Sequence, residues 1–284
     1  MAFVIGFSGL RIRLIPPAAP MELPEEFLSL LTHESGPVDA EYKIQLLEKP
    51  LLPGSEPVHC YNGISLYQTD EGWLRIYPLR GSEEGCRVAC LLRSNQKHIL
   101  YYPAALWDHY ARPLHCAHLM GLEAVLLDAN AFLLHSSVVL MNGKAVLFCG
   151  PSGAGKSTQA ELWHRYLGAQ ILNGDRCVVM EKADGFYGGG SPLAGSSNIY
   201  RPEQAPIAAI ILPQKAAENR IERLGFEAFP LLLSQTLLNS WDQAFMHRLT
   251  DLYQNLLSQI PIYRLHCRPD KEAVQLAYET TIKV

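Results

Sequence analysis

The stretch VLFCGPSGAGKSTQAELW, Val146 to Trp163, constrains this chain more than any other. An apolar run of the kind that forms a buried strand leads into Gly150, Gly153 and Gly155, then a lysine, then residues that favour helix. Glycines at such a place let successive backbone N–H groups point into one concavity, and the helix that follows adds the positive end of its dipole. Gly150 to Ser157 fits G-x-x-x-x-G-K-[ST] in full, with the strand KAVLFC before it and a helix that Gly168 can cap after it. A loop of this kind implies the polyphosphate of a nucleotide, here ATP with Mg²⁺.

Each residue of the loop has an expected part. Gly150, Ser152, Gly153, Ala154 and Gly155 cradle the phosphates, Lys156 reaches the β- and γ-phosphates as a point charge, and the Ser157 hydroxyl ligates Mg²⁺. Thr158 either adds a second hydroxyl or is a plain helix residue.

Asn142-Gly143 signals a two-residue hairpin between LHSSVVLM and KAVLFCG. Counting outward from Met141 opposite Lys144 places Val139 opposite Val146, Ser137 opposite Phe148, and His135 opposite Gly150. His135 is therefore expected at the mouth of the phosphate loop, as a structural residue or as one that orients a phosphate or carries a proton. Beyond the helix, in AQILNGDRCVVME, Asp175 follows a strand near the loop strand. It is a candidate Mg²⁺ ligand and proton acceptor, or merely the flank of an Asn173-Gly174 turn. Arg176 beside it either neutralises phosphate charge or forms an exposed ion pair. The glycines 188 to 190 with Ser191-Pro192 make a loop that either closes over substrate or is a plain turn. His109, His115, Cys116 and His118 lack a recognised zinc spacing, and metal is not expected there.

The fold class expected is α/β, with a phosphate-loop kinase domain behind a smaller, mainly antiparallel β domain. Residues 1–103 alternate short strand-like runs, among them FSGLRIRLI, AEYKIQLLE and HILYYP, with turn signals, interrupted by a short helix at Glu25 to Leu31. Residues 104–284 read as the nucleotide-binding domain. Its pattern is first helical, then strand, loop, helix and strand, then one or two helices between Phe226 and Ile260. Pro261 stops them, IYRLHC is a strand, and Asp270 starts a closing helix.

A formal net charge of −4 without a run of like charge leaves no electrostatic footprint for nucleic acid or an anionic membrane. No segment has the uncharged apolar length that spans a bilayer, and the N-terminal apolar residues precede the arginines, the wrong order for a signal peptide. Seven singly scattered cysteines form no disulfide framework, which points to a reducing, cytoplasmic setting.

Taken together, LLHSSVVLMNGKAVLFCG, PSGAGKST, ILNGDRCVV, GGGSPLAG and PIAAIILPQKAAENRIERL, in that order, resemble the C-terminal domain of HPr kinase/phosphorylase. The likeness is greater to HPr-kinase-like proteins of bacterial peptide-modification clusters, and it covers roughly residues 125 to 280. It implies a sheet related to that of phosphoenolpyruvate carboxykinase, Mg-ATP binding, and phosphoryl transfer to a serine hydroxyl of a peptide or protein acceptor. It also implies assembly into homo-oligomers. The resemblance carries His135, Gly150 to Ser157 and Asp175 over as site residues. Of the family's two adjacent acidic residues, the first aligns with Gly174.

Two readings of function follow. One is an ATP-dependent kinase in which Lys156 and the loop hold ATP, Ser157 and Asp175 position Mg²⁺, and His135 or Asp175 assists a hydroxyl of a peptide, protein or small molecule. The other is an ATP-binding module without chemistry that orders a surface for a partner.

Overall fold

The structure, a computed structural model, describes residues 2–21, 25–32, 36–49, 51, 53–61, 63–78, 87–111 and 117–283. The protein is mixed α/β with two large sheets. Its contacts group it into two compact units, one built on Leu10–Val125 and the other on Leu126–Val284.

The first unit carries a nine-stranded sheet in the order β3-β1-β2-β4-β9-β8-β7-β6-β5. Its strands are β1 (Phe3–Phe7), β2 (Leu10–Ile15), β3 (Leu31–Thr32), β4 (Ala40–Leu47), β5 (His59–Tyr61), β6 (Ile64–Thr69), β7 (Gly72–Pro78), β8 (Arg87–Leu92) and β9 (Lys97–Pro103). Strict alternation along LRIRLI buries Leu10, Ile12 and Leu14 and leaves the residues between them half-exposed, as a sheet with one face on a core requires. From β5 to β9 the chain meanders antiparallel, as expected, but the pairings β2–β4 and β4–β9 are parallel. Parallel neighbours need a long crossover, which the chain supplies between Ile15 and Ala40 and again between Leu47 and Lys97.

The compact units part near Val125, beyond the boundary expected at residue 103. Residues 104–125 belong with the first unit because buried groups tie them there. The Tyr42 hydroxyl donates to the Met120 carbonyl at 2.8 Å, and the buried guanidinium of Arg75 pairs with the carboxylate of Glu123. Two short helices lie here, α1 (Trp107–Tyr110) and α2 (Leu122–Asp128), the second running into the next unit. His115 and Cys116 lie outside the described residues.

The second unit holds β10 (Ala131–Met141), β11 (Lys144–Cys149), α3 (Lys156–Leu167), β12 (Gln170–Asn173), β13 (Arg176–Lys182), β14 (Gly185–Gly189), β15 (Gln204–Lys215) and β16 (Arg220–Leu224). It continues with α4 (Ala228–Leu233), α5 (Gln243–Gln259), β17 (Ile262–Cys267) and α6 (Lys271–Thr281). The path through the sheet is β11-β10-β13-β14-β15-β17-β16, β12 also pairs with β10, and β11 with β15 closes a ring. Strand β11 runs parallel to β15, and β15 to β17. Alternation along β11 sends Ala145, Leu147 and Cys149 to a core shared with α4 and α5, and Val146 and Phe148 to a second core under α3 and α6. In that second core Trp163 stands edge-on to Phe148 at 5.6 Å with no exposed surface. Burying one such aromatic contributes about 1.5–3 kcal/mol.

Asp270 caps α6, as expected, by accepting from the Ala273 amide at 2.9 Å, and Asp242, a cap not read from the sequence, holds the start of α5 through the Phe245 amide at 3.0 Å. Gly168 ends α3 in the left-handed conformation, its amide donating to the His164 carbonyl. No helix among the described residues is long and apolar enough to cross a membrane.

Candidate functional site

Strand β11 ends at Cys149 and the chain turns through Gly150-Pro-Ser-Gly-Ala-Gly155 into α3. Gly150, Gly153 and Gly155 have φ of 151°, 78° and 103°, a region that costs any residue with a Cβ. The Ala154 amide bonds the Pro151 carbonyl at 3.2 Å, and the Gln159 amide bonds the Gly155 carbonyl at 2.9 Å. The amides ahead of Gln159 are those that a helix start leaves without an intrahelical partner. Lys156 is buried, and its ammonium donates to the Gly150 carbonyl at 2.8 Å and the Pro151 carbonyl at 3.1 Å. Burial pushes its pKa down. Ser152, Gly153, Ser157 and Thr158 are exposed and Ala154 half-buried, so the two hydroxyls of the first turn face outward.

A hollow of ≈ 510 Å³ lies against this loop, lined by residues 149–154 on one side and by Leu212, Pro213, Gln214, Leu231 and Arg264 on the other. Its size is that of a small-molecule site. Arg264 is anchored by Glu222, whose carboxylate also meets Arg220 and His266 at 2.9 Å and 3.3 Å. Sequence reading missed Arg264. It lies 108 residues beyond Lys156, on a strand that reaches the loop only through the parallel pairing of β15 with β17.

The hairpin register is the expected one from Met141↔Lys144 through Val139↔Val146 and Ser137↔Phe148 to Ser136↔Cys149. There it stops. His135 does not pair with Gly150, because β11 ends at Cys149 and on that edge of β10 Gln235 and Thr236 take its place, while on the opposite edge His135 lies across from Arg176 of β13. Its amide donates to the Gln235 carbonyl at 2.8 Å, and its ring reaches Asp175, with Nε2 3.3 Å from Oδ1.

Asp175 is held by its own turn. Strands β12 and β13 both pair with β10, one after the other, so Asn173-Gly174-Asp175 is a kink between two segments on one edge and not a hairpin. The fully buried Asn173 side chain accepts from the Asp175 and Arg176 amides, both at 2.9 Å, and donates to the Ser191 carbonyl at 3.1 Å. The Ser137 hydroxyl donates to the Gly174 carbonyl at 3.0 Å, and the Ser136 amide to the Asp175 carbonyl at 3.0 Å. The Asp175 carboxyl sits below the usual carboxylate range, first through its hydrogen bond with His135, then through the charges of Arg176, His135 and Lys156, with burial opposing. Arg176 Nε is 4.0 Å from Asp175 Oδ2, and the carboxylate keeps 34% of its surface exposed.

Residues 191–197 pack on this turn. The buried Ser191 hydroxyl donates to the Arg176 carbonyl at 2.6 Å. A side chain on Gly174 would meet the Ser197 Cβ at 2.5 Å and its Oγ at 2.7 Å, and one on Gly195 would meet the Asp175 carboxyl carbon at 2.8 Å. Gly174 is therefore a position at which Ser197 leaves no room for a side chain. Among the described residues no cluster of three or more His, Cys, Asp or Glu is placed to hold a metal. Ser157 and Asp175 offer hard oxygen donors, which fit a Mg²⁺ that takes its other ligands from phosphates and water.

No protein-family model matches the chain, and no curated protein matches it. Among solved structures it is similar to the HPr(Ser) kinase/phosphatase from Coxiella burnetii. That likeness has 13% identity and a TM-score of 0.30, and covers 53% of this chain and 88% of that one. It is a distant structural relationship, too slight to assign any residue a role.

Proposed function

We propose that the protein is an ATP-dependent kinase that transfers the γ-phosphoryl group to a hydroxyl, serine or threonine, of a peptide or protein. The observation that carries this reading is the juxtaposition of a strand-end loop bearing three left-handed glycines and Lys156 with Asp175, since Cys149 at the foot of the loop pairs with Ser136, whose amide donates to the Asp175 carbonyl. The hollow beside the loop takes the nucleotide, with loop amides and Lys156 on its phosphates. Ser157 and Asp175 would hold Mg²⁺, which when bound neutralises charge on the transferring phosphoryl group. Asp175, steadied by His135, accepts the acceptor's hydroxyl proton. That oxygen bonds to the γ-phosphorus, the bond to the β–γ bridging oxygen breaks, and ADP leaves. Positioning and charge carry most of such a transfer, so one carboxylate suffices.

A second reading, an ATP-binding module that orders a partner surface, is favoured by Gly174, where Ser197 excludes a second acid. A small-molecule acceptor is the remaining variant of the kinase reading. A cytoplasmic setting, a homo-oligomer and the absence of nucleic acid and membrane partners belong to the same proposal. The free state of the five described cysteines and the net charge of −4 support it.

The test is transfer from γ-labelled ATP to candidate acceptors by wild type and Lys156→Ala. Both readings expect Mg-ATP at a hundredfold excess over Kd to stabilise the wild type by about 2.7 kcal/mol. Only the kinase labels an acceptor, and Lys156→Ala labelling at the wild-type rate removes it.

A further inference from the structure

A second hollow, of ≈ 350 Å³, opens where β12 begins, with His164, Gln170, Ile171, Ile199 and Arg201 among its lining. Strand β12 pairs with β10 alone, so among the described residues its other edge has no strand partner. Near Leu172 that edge is covered by Gly190, on which a Cβ would stand 3.3 Å from the Leu172 carbonyl. Towards Gln170 and Ile171 the cover gives way to the hollow.

Two stretches of backbone join this hollow to Asp175. Strand β12 runs from Gln170 to Asn173 and on into the Asp175 turn. The segment from Ser197 to Arg201 starts against Gly174 and ends in the hollow with Ile199 and Arg201. An extended chain laid along them would cover the four residue steps from Ile171 to Asp175 in about 13 Å. The charge of the hollow is cationic. Arg201 is exposed and has no carboxylate partner among the described residues, and no Asp or Glu lines the space. His164 Nδ1 is engaged with the Ala169 carbonyl at 2.9 Å. The end of α3 brings only a partial negative charge, capped by Gly168, against the full charge of Arg201.

We propose that this hollow and the adjoining edge of β12 bind an extended peptide segment of the phosphoryl acceptor, with an acidic side chain against Arg201 about four residues from the accepting hydroxyl. The proposal rests on the kinase reading of Asp175 for its register, but the binding surface can be measured without nucleotide.

The probe is a set of fluorescein-labelled decapeptides with one serine and one glutamate at each other position, each with a glutamine twin. Binding to the full chain is read by anisotropy without nucleotide, and phosphate incorporation with Mg-ATP. Glutamate four or five positions from the serine is expected to bind about three- to tenfold tighter than its twin, and to raise kcat/KM as much. Arg201→Gln removes that preference, Arg201→Glu turns it towards lysine, and Mg-ATP affinity stays unchanged. Equal binding of glutamate and glutamine peptides, or a preference indifferent to Arg201→Glu, overturns the proposal. Acid-dependent binding that follows Arg201 but without turnover keeps the surface and removes the kinase reading. Labelling without acid dependence does the reverse.

Discussion

His135 Nε2 stands 3.3 Å from Asp175 Oδ1, although the two residues are 40 apart in sequence, one on β10 and the other in the kink between β12 and β13. The contact exists because β12 and β13 follow one edge of β10 in a single register, with Val138 opposite Asn173 and His135 opposite Arg176, so the Asp175 kink between them falls beside His135. Asp175 thereby keeps its proton-accepting form to lower pH than an isolated carboxylate would, close to the lysine of the phosphate loop.

Replacing His135 by Gln removes the largest cause of that lowering. A carboxyl whose pKa is depressed in the folded state contributes stability that is present above the ordinary carboxylate range and lost as pH falls through the lowered value. His135→Gln lets the Asp175 pKa rise, so the acid limb of kcat/KM for phosphoryl transfer shifts to higher pH. The pH–rate profiles of wild type and variant decide it, and an acid limb that stays in place shows that Asp175 is not the group titrating there.

Asn173 has its side chain fully buried and committed to three hydrogen bonds. Asn173→Ala leaves two amides and a carbonyl without their partner, at a cost of about 1–3 kcal/mol for each buried group left unsatisfied. We expect a lower Tm and, at temperatures where the variant is folded, a larger loss in kcat than in Mg-ATP affinity, since the turn that aims Asp175 slackens while the loop is untouched. Calorimetry with and without Mg-ATP separates the two effects. Equal losses in both would mean that the turn does not act on Asp175 alone.

Gly174→Asp places a carboxylate beside Asp175 in sequence, but its Cβ would lie 2.5 Å from that of Ser197. Overpacking of this kind costs about 1–3 kcal/mol, so the single variant is expected to be less stable and no more active. Ser197→Gly opens the space, and the double variant recovers stability relative to Gly174→Asp alone. Thermal melts of the wild type and the three variants form the cycle, and additive effects of the two substitutions contradict the steric account.

What was legible in the sequence is local. The Asn142-Gly143 turn fixes its hairpin by counting, because pairing beside a two-residue turn leaves one register. The loop glycines, the Gly168 cap and the Asp270 cap likewise depend on neighbours a few residues away. Counting failed at His135 because a strand of eleven residues can change partners midway, and nothing in LLHSSVV marks where. Ser197, 23 residues after Gly174, and the parallel pairings of the first sheet depend on where long connections return the chain. Local spacing carries no signal for such contacts, although the run of small residues from Ala194 to Ser197 is a composition that permits close packing.

In the first unit, Arg75 and Glu123 form a buried ion pair, with 4% and 5% of their side-chain surfaces exposed. Burial alone would lower the pKa of Arg75, and the neighbouring carboxylate more than offsets it, so the guanidinium is held charged. Removing one partner strands the other charge away from water, and Glu123→Leu or Arg75→Met alone is expected to cost about 3–5 kcal/mol. Removing both charges with apolar residues of similar volume, Arg75→Met with Glu123→Leu, is expected to leave the unit close to wild-type stability, because the desolvation of both ions disappears with their attraction. Denaturant melts of the two singles and the double give the coupling directly. A double variant as unstable as the sum of the singles would show that the pair's neighbours, Tyr42, Tyr77 and Cys90 among them, depend on the charges themselves and not on the space they fill.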